Sequence, residues 1–292
     1  MKLISKILLT LFLIFSFIFA LSPTTYAYYG EGDLTNNNSQ YLTELAYGIS
    51  DMKTEIEVYS TFRPEFKDMS IPEILRKSRE FDSCAAGTLN FLEMGKTVSV
   101  DGGYKTTYKV KYDITKETYR DLKFWIEENF VPTVDGMSDY EKVKEAYNYL
   151  LTNASPNQDN GSPASCLKNG SGNMKAYAIA YGMLLNACDI NCDYVYVNGY
   201  HWNIVELDGY WYNVDVYADD AYASDPYKHF LKGRSDWDGY SGKEATSHKA
   251  YNPDNPSANK LWNIVHYGIL YVGWPISIVA FLIILFKRKK VK

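Results

Sequence analysis

The chain has 292 residues, enough for one large or two small domains with cores of their own. Hydrophobic residues make up 46% of it, ordinary for a globular protein, and tyrosine is abundant at 27. The formal net charge is -5, unevenly spread. Without Lys2, Lys6 and the tail cations Lys287, Arg288, Lys289, Lys290 and Lys292, the part between carries about -12, which argues against nucleic acid or anionic lipid as a ligand.

Met1 to Ala27 carries Lys2 and Lys6, the apolar run ILLTLFLIFSFIFAL and a small-residue site at Ala27. This is the pattern of a signal peptide, with cleavage predicted after Ala27. Residues 28–39 are polar and turn-rich, a loose leader. Tyr41 to Ile49 has helical spacing and Thr54 to Ser60 alternates like a strand. Ser70-Ile71-Pro72-Glu73 has the spacing of a capping box and opens a helix. Strands are predicted at 88–92, 96–100 and 104–112, with Asp101-Gly102-Gly103 as a hairpin turn. A helix follows over 114–130, with Tyr119, Leu122, Ile126 and Phe130 on one stripe, and Pro132 ends it. Residues 40–132 thus read as a small α+β domain whose aromatics are core and which carries no chemistry.

A second capping-box spacing, Ser138 with Glu141, opens a helix with Tyr140, Val143, Tyr147, Leu150 and Leu151 on its buried stripe. The polar stretch 153–165 is a loop. Next come Gly172-Asn173-Met174-Lys175-Ala176-Tyr177-Ala178 and an apolar helix, then Gly199-Tyr200-His201-Trp202-Asn203-Ile204-Val205. Asp208-Gly209 leads into Tyr210-Trp211-Tyr212-Asn213-Val214-Asp215-Val216-Tyr217-Ala218-Asp219-Asp220. From Ser138 to Gly233 this order resembles the transglutaminase-like (papain-type) cysteine-enzyme superfamily. Its pattern is G-x-C-x-G-Y-A, then H-x-W-N-x-V, then D-G-x-W-Y-x-V-D-V-T-W-D-D.

The resemblance implies a helix-plus-antiparallel-sheet domain over 133–234. It also implies a nucleophilic cysteine at a helix N-terminus, where the dipole and free N–H groups stabilise the thiolate. A histidine would be the base and an aspartate would orient it. Aligned on Trp202-Asn203, the cysteine position falls on Met174, whose thioether has no proton to lose. Met174 also joins Tyr177, Ala178, Tyr181 and Leu185 in a plain buried helical stripe. The histidine position falls on Tyr200, a phenol and a poor base at neutral pH, and Asp215 matches the aspartate.

A two-residue turn at Asp208-Gly209 pairs Leu207 with Tyr210. Continued along the hairpin, that register sets Trp202 opposite Asp215, Tyr200 diagonally beside Asp215, and His201 on the other face. His201 would meet Asp215 only across a bulge. The triad therefore reads as degenerate. Met174, Tyr177, Tyr200, Trp202, Asp215 and Tyr217 are expected to line an aromatic groove that binds a peptide or cell-wall glycopeptide. One alternative is an active thiol peptidase or acyltransferase using Cys166, His201 and Asp215. Another is a structural adapter for a membrane partner.

The four cysteines, Cys84, Cys166, Cys188 and Cys192, leave three full pairings open, and Cys188 with Cys192 is one candidate pair. No CxxC pair or Cys/His cluster has metal-ligand spacing, so neither metal nor cofactor is expected. His229, in a predicted late helix, His248, in a polar stretch, and His266 read as structural or solvated. Residues 235–261 read as a polar tether. Ile264 to Phe286 would span roughly 35 Å as a helix, enough to cross a bilayer. The basic 287–292 tail then lies on the cytoplasmic side and residues 28 to about 260 outside the cell. The sequence leaves the ligand and the oligomeric state open.

Overall fold

The structure, a computed structural model, describes residues 36–65, 70–239 and 244–256, together with 260, 261 and 265. Met1–Ala27 and the basic tail lie outside the described residues, as does all of Ile264–Phe286 except Val265. Among the described residues no helix is long and apolar enough to cross a membrane.

Helix α1 (Asn36–Ser50) packs Leu45, Ala46 and Ile49 inward and precedes β1 (Glu55–Ser60). Helix α2 (Ile71–Lys77) begins at Ser70, whose side chain makes no capping hydrogen bond, so the expected box does not form there. Helix α3 (Ser83–Gly87) is short and wholly buried, and Asp82 caps it by accepting from Ala85 N. The two strands expected between 88 and 100 are one, β2 (Leu89–Val100), broken in register by irregularities at Leu89/Phe91 and Met94/Thr97. Such bulges interrupt the alternation that the sequence reading relies on. Strand β3 (Gly103–Tyr112) lies between the other two, in the antiparallel order β1-β3-β2. The turn before it holds Gly102 at φ +83°, open to glycine at no steric cost.

Helix α4 (Lys116–Asn129) buries Tyr119, Leu122 and Ile126, as its spacing predicts, with Thr115 as cap. At α5 (Asp139–Asn153) the reciprocal Ser138/Glu141 capping box is present. Asn173 caps α6 (Met174–Asn186), and every residue from Ala176 to Leu185 is buried. A helix apolar all round belongs in the middle of a core. Around it stand α3, α4, α5, α7 (Val216–Tyr222) and the antiparallel sheet β4 (Cys192–Val197), β5 (Tyr200–Leu207), β6 (Tyr210–Val214). The Asp208-Gly209 turn has positive φ at both residues, and Leu207 pairs with Tyr210 as expected.

The fold is therefore mixed helix and antiparallel sheet, and the described residues belong to one compact unit. Buried side chains from Tyr41 to Leu231 join in one apolar cluster. Residues 225–233 form turns rather than the expected late helix. Part of the stretch expected to be a tether packs back on the sheet, where Thr246 N and Ser247 N both donate to Trp211 O.

Candidate functional site

Met174 opens α6 at its first helical position, part-buried, and Asn173 Oδ1 accepts from Ala176 N at 3.0 Å. The place assigned to a nucleophile is thus at a helix N-terminus, as the resemblance implies, but it holds a thioether. Cys166 lies close by in a π-helical turn, Ser165–Asn169. A Cβ placed on Gly172 would stand 3.3 Å from its Sγ. The thiol is fully buried, at 0% exposure. Burial, with the Asp220 carboxylate adding to it, pushes its pKa up to about 12. A reactive thiol needs the opposite shift.

Asp220 accepts from Tyr177 Oη at 2.5 Å, and burial raises its pKa above the ordinary carboxylate value. Tyr177 packs edge-on against Tyr217 at 5.4 Å, and Tyr217 against Tyr222 at 6.0 Å. Tyr177 and Tyr217 are buried, whereas Tyr222 is 72% exposed.

Strand β5 pairs with β4 without interruption from Tyr200 to Val205, so no bulge turns His201. Asn203 Nδ2 donates to Ala178 O of α6. Strand alternation therefore points His201, Asn203 and Val205 toward α6, and Tyr200, Trp202 and Ile204 away from it. His201 Nδ1 is hydrogen-bonded to Tyr194 Oη at 2.5 Å, and its ring lies 5.0 Å from that of Tyr196. Burial, with the Lys175 ammonium adding to it, brings its pKa down to about 4. Lys175 pairs with Asp113 at 2.6 Å and donates to Leu89 O.

Asp215 is placed differently from its expected role. The last β5–β6 pair is Asn203 with Val214, and Asp215 leaves the strand to cap α7, its Oδ1 accepting from Ala218 N at 2.9 Å. Burial pushes its pKa up to about 6, partly opposed by that cap bond and by the nearby His229. Trp202 is 2% exposed and donates from Nε1 to Asn213 Oδ1 at 3.1 Å. Tyr200 is 50% exposed at the start of β5. The six residues expected in one groove thus divide. Met174, Tyr177, Tyr217 and Asp215 belong with α6 and α7, Trp202 and Tyr200 with the far side of the sheet.

One charged cluster escaped the sequence reading. Asp219, with no side-chain exposure, accepts from Tyr147 Oη and from His229 N and faces His229 Nδ1 at 2.6 Å. His229 Nε2 faces Asp238 Oδ1 at 3.0 Å. The Asp219-Asp220 doublet followed by His229 was the only trace of it in the sequence. All four cysteines are free and buried, so Cys188 and Cys192 are not bonded. Among the described residues no group of three His, Cys, Asp or Glu side chains is placed to hold a metal ion.

A search of curated proteins finds no match to the chain. A protein-family model does match, that of the Transglutaminase-like superfamily, over residues 129–223, from the end of α4 to the residue after α7. The matched stretch contains α5, α6, the three-stranded sheet and α7, so the chain carries a transglutaminase-like domain.

Proposed function

We propose that this is an exported, membrane-anchored protein whose transglutaminase-like domain binds a peptide or cell-wall glycopeptide without acting on it. One observation carries the non-catalytic reading. The start of α6 presents Met174, and the neighbouring thiol, Cys166, is fully buried with its pKa raised to about 12 and a carboxylate, Asp220, adding to the shift. His201 supports the same reading, since it hydrogen-bonds Tyr194 and faces α6 while Asp215 caps α7. The ligand surface is the aromatic side of the sheet away from α6, with Trp202 and Trp211 in it and Tyr200 at its edge. Export and anchoring rest on the two apolar end segments and the basic tail.

The test is to titrate the full chain with cell-wall peptide fragments and follow both binding and product by mass spectrometry. Binding weakened by Tyr200→Ala, with the fragments recovered unchanged, is the expected result. A hydrolysed or transamidated product would overturn the non-catalytic reading, and absence of binding would overturn the ligand assignment.

A further inference from the structure

The side of the sheet away from α6 carries its own apolar cluster, separate from the main core. Val195, Trp202 and Ile204 are buried there, flanked by Val197, Trp211 and Trp237. Trp237 is the outsider, arriving from the chain after α7 to lie on Trp202 with ring centroids 6.3 Å apart and planes at 33°. Its packing is incomplete in one respect. The indole Nε1 of Trp237 is buried and has no hydrogen-bond partner among the described residues, whereas that of Trp202 is bonded to Asn213. A buried N–H without a partner weakens the contact that buries it, so this ring is held from outside.

The holding group is next to it in sequence. Asp238 Oδ1 faces His229 Nε2, and Lys228 Nζ reaches Asp238 Oδ2 at 2.8 Å. The Lys228 pair is half exposed on both sides and correspondingly weak. His229 is only 12% exposed and is fixed to the body of the domain through Asp219, which also takes Tyr147 Oη. Its ring stands edge-on to Trp237 at 5.6 Å. Carboxylates face both ring nitrogens, an arrangement that requires both to carry hydrogen. The charged and titratable groups around it are Asp215 and Asp219 from α7, Tyr147 from α5, and Lys228 and Asp238 on its own segment.

Resting on the binding role proposed above, we infer that Trp237 is a built-in plug on the Trp202 face. It is latched through Asp238 by protonated His229 and displaced by an aromatic side chain of the bound peptide. The hydrogen bond to Asp219 lifts the His229 pKa above its usual value, against the opposing effect of burial. The latch therefore holds fully below about pH 6.5, the ordinary histidine value, and is lost as pH rises through the raised one. When the proton leaves, the fully buried Asp219 retains the Nδ1–H. Nε2 then turns a lone pair on Asp238, and attraction becomes repulsion.

The test uses the full chain with 15N-labelled tryptophan, which gives six indole signals, that of Trp237 being identified by Trp237→Phe. The Trp237 and Trp202 signals are expected to shift together in a one-proton transition that lies above the ordinary histidine value of about 6.5. In Asp238→Asn, His229 still titrates against Asp219, but the amide can accept from protonated Nε2 and donate to neutral Nε2, so the plug stays closed and the Trp202 signal should no longer shift with pH. An invariant Trp237 signal in the wild type, or a Trp202 transition that survives Asp238→Asn, overturns the latch. N-acetyltryptophanamide is the second probe. It should bind at least tenfold more tightly at pH 9 than at pH 6, and equally at both in Trp237→Ala. An indole transition without any probe binding would support the latch and overturn the binding role.

Discussion

Met174→Cys places a thiol where the family resemblance puts the nucleophile, and its reactivity can be estimated. At the first position of α6 the side chain sits at the positive end of a 13-residue helix. That environment favours a thiolate by about 0.3–2 kcal/mol, or roughly 0.2–1.5 pKa units below the ~8.5 of a free thiol. At pH 7 about a tenth of the introduced thiol would then be ionised. For wild-type Cys166, with a pKa of about 12, the fraction is on the order of 10⁻⁵. Alkylation by iodoacetamide, read by peptide mapping at pH 7, should differ by about 10⁴-fold between the two sites before burial of Cys166 widens the gap. The variant should still transfer no acyl group, because His201 is engaged by Tyr194 and poorly basic. Two results would refute this reasoning. One is alkylation of Cys166 in the folded wild type at the rate of a free thiol, and the other is a variant thiol no faster than Cys166.

Three further outcomes follow from the packing. Gly182→Ala gains about 1 kcal/mol of helix propensity, but its Cβ would come within 2.5 Å of Cys84 Sγ. Overpacking of about 1–3 kcal/mol should prevail, and adding Cys84→Ala should recover stability in denaturant titrations, where simple additivity would contradict the clash. Ser138→Ala should lose about 1 kcal/mol in the same assay through the capping box. Asp215→Asn keeps a capping side chain and removes a buried charge. Since the folded pKa is raised to about 6, wild-type stability from this group falls as pH rises through that value. The Asn variant should therefore melt at or above the wild type at pH 8, while Asp215→Ala falls about 1 kcal/mol below it; an Asn variant markedly less stable at pH 8 would mean that the carboxylate is needed ionised.

Local chemistry was readable where it is self-contained. The Asp208-Gly209 turn sets the hairpin register through residue types that favour its positive φ, and the Ser138/Glu141 box declares its helix. The same spacing at Ser70 also marks the start of a helix, although its hydroxyl makes no cap bond. Alternation in β5 correctly separates His201 from Tyr200, but it does not say which face meets α6. Both faces carry large apolar side chains, Trp202 and Ile204 on one and Val205 and Leu207 on the other. The face against α6 also carries buried Asn203, whose partner is a helix carbonyl far away in sequence. The His229 cluster joins α5, α7 and the chain beyond them, and no local pattern encodes such a meeting. Met174, by contrast, was legible from one letter.

Helix α3 has a practical bearing on how this protein can be handled. All five of its residues are buried, with Gly87 so close to Ile179 and Tyr194 that a Cβ would stand 3.1 Å from either, and with Cys84 against Gly182. These contacts belong to the inner surface of the transglutaminase-like domain, yet α3 lies more than forty residues before the matched stretch begins. A fragment trimmed to the family match would present α6 and β4 to water along that side. It would report on an exposed core rather than on the native binding surface.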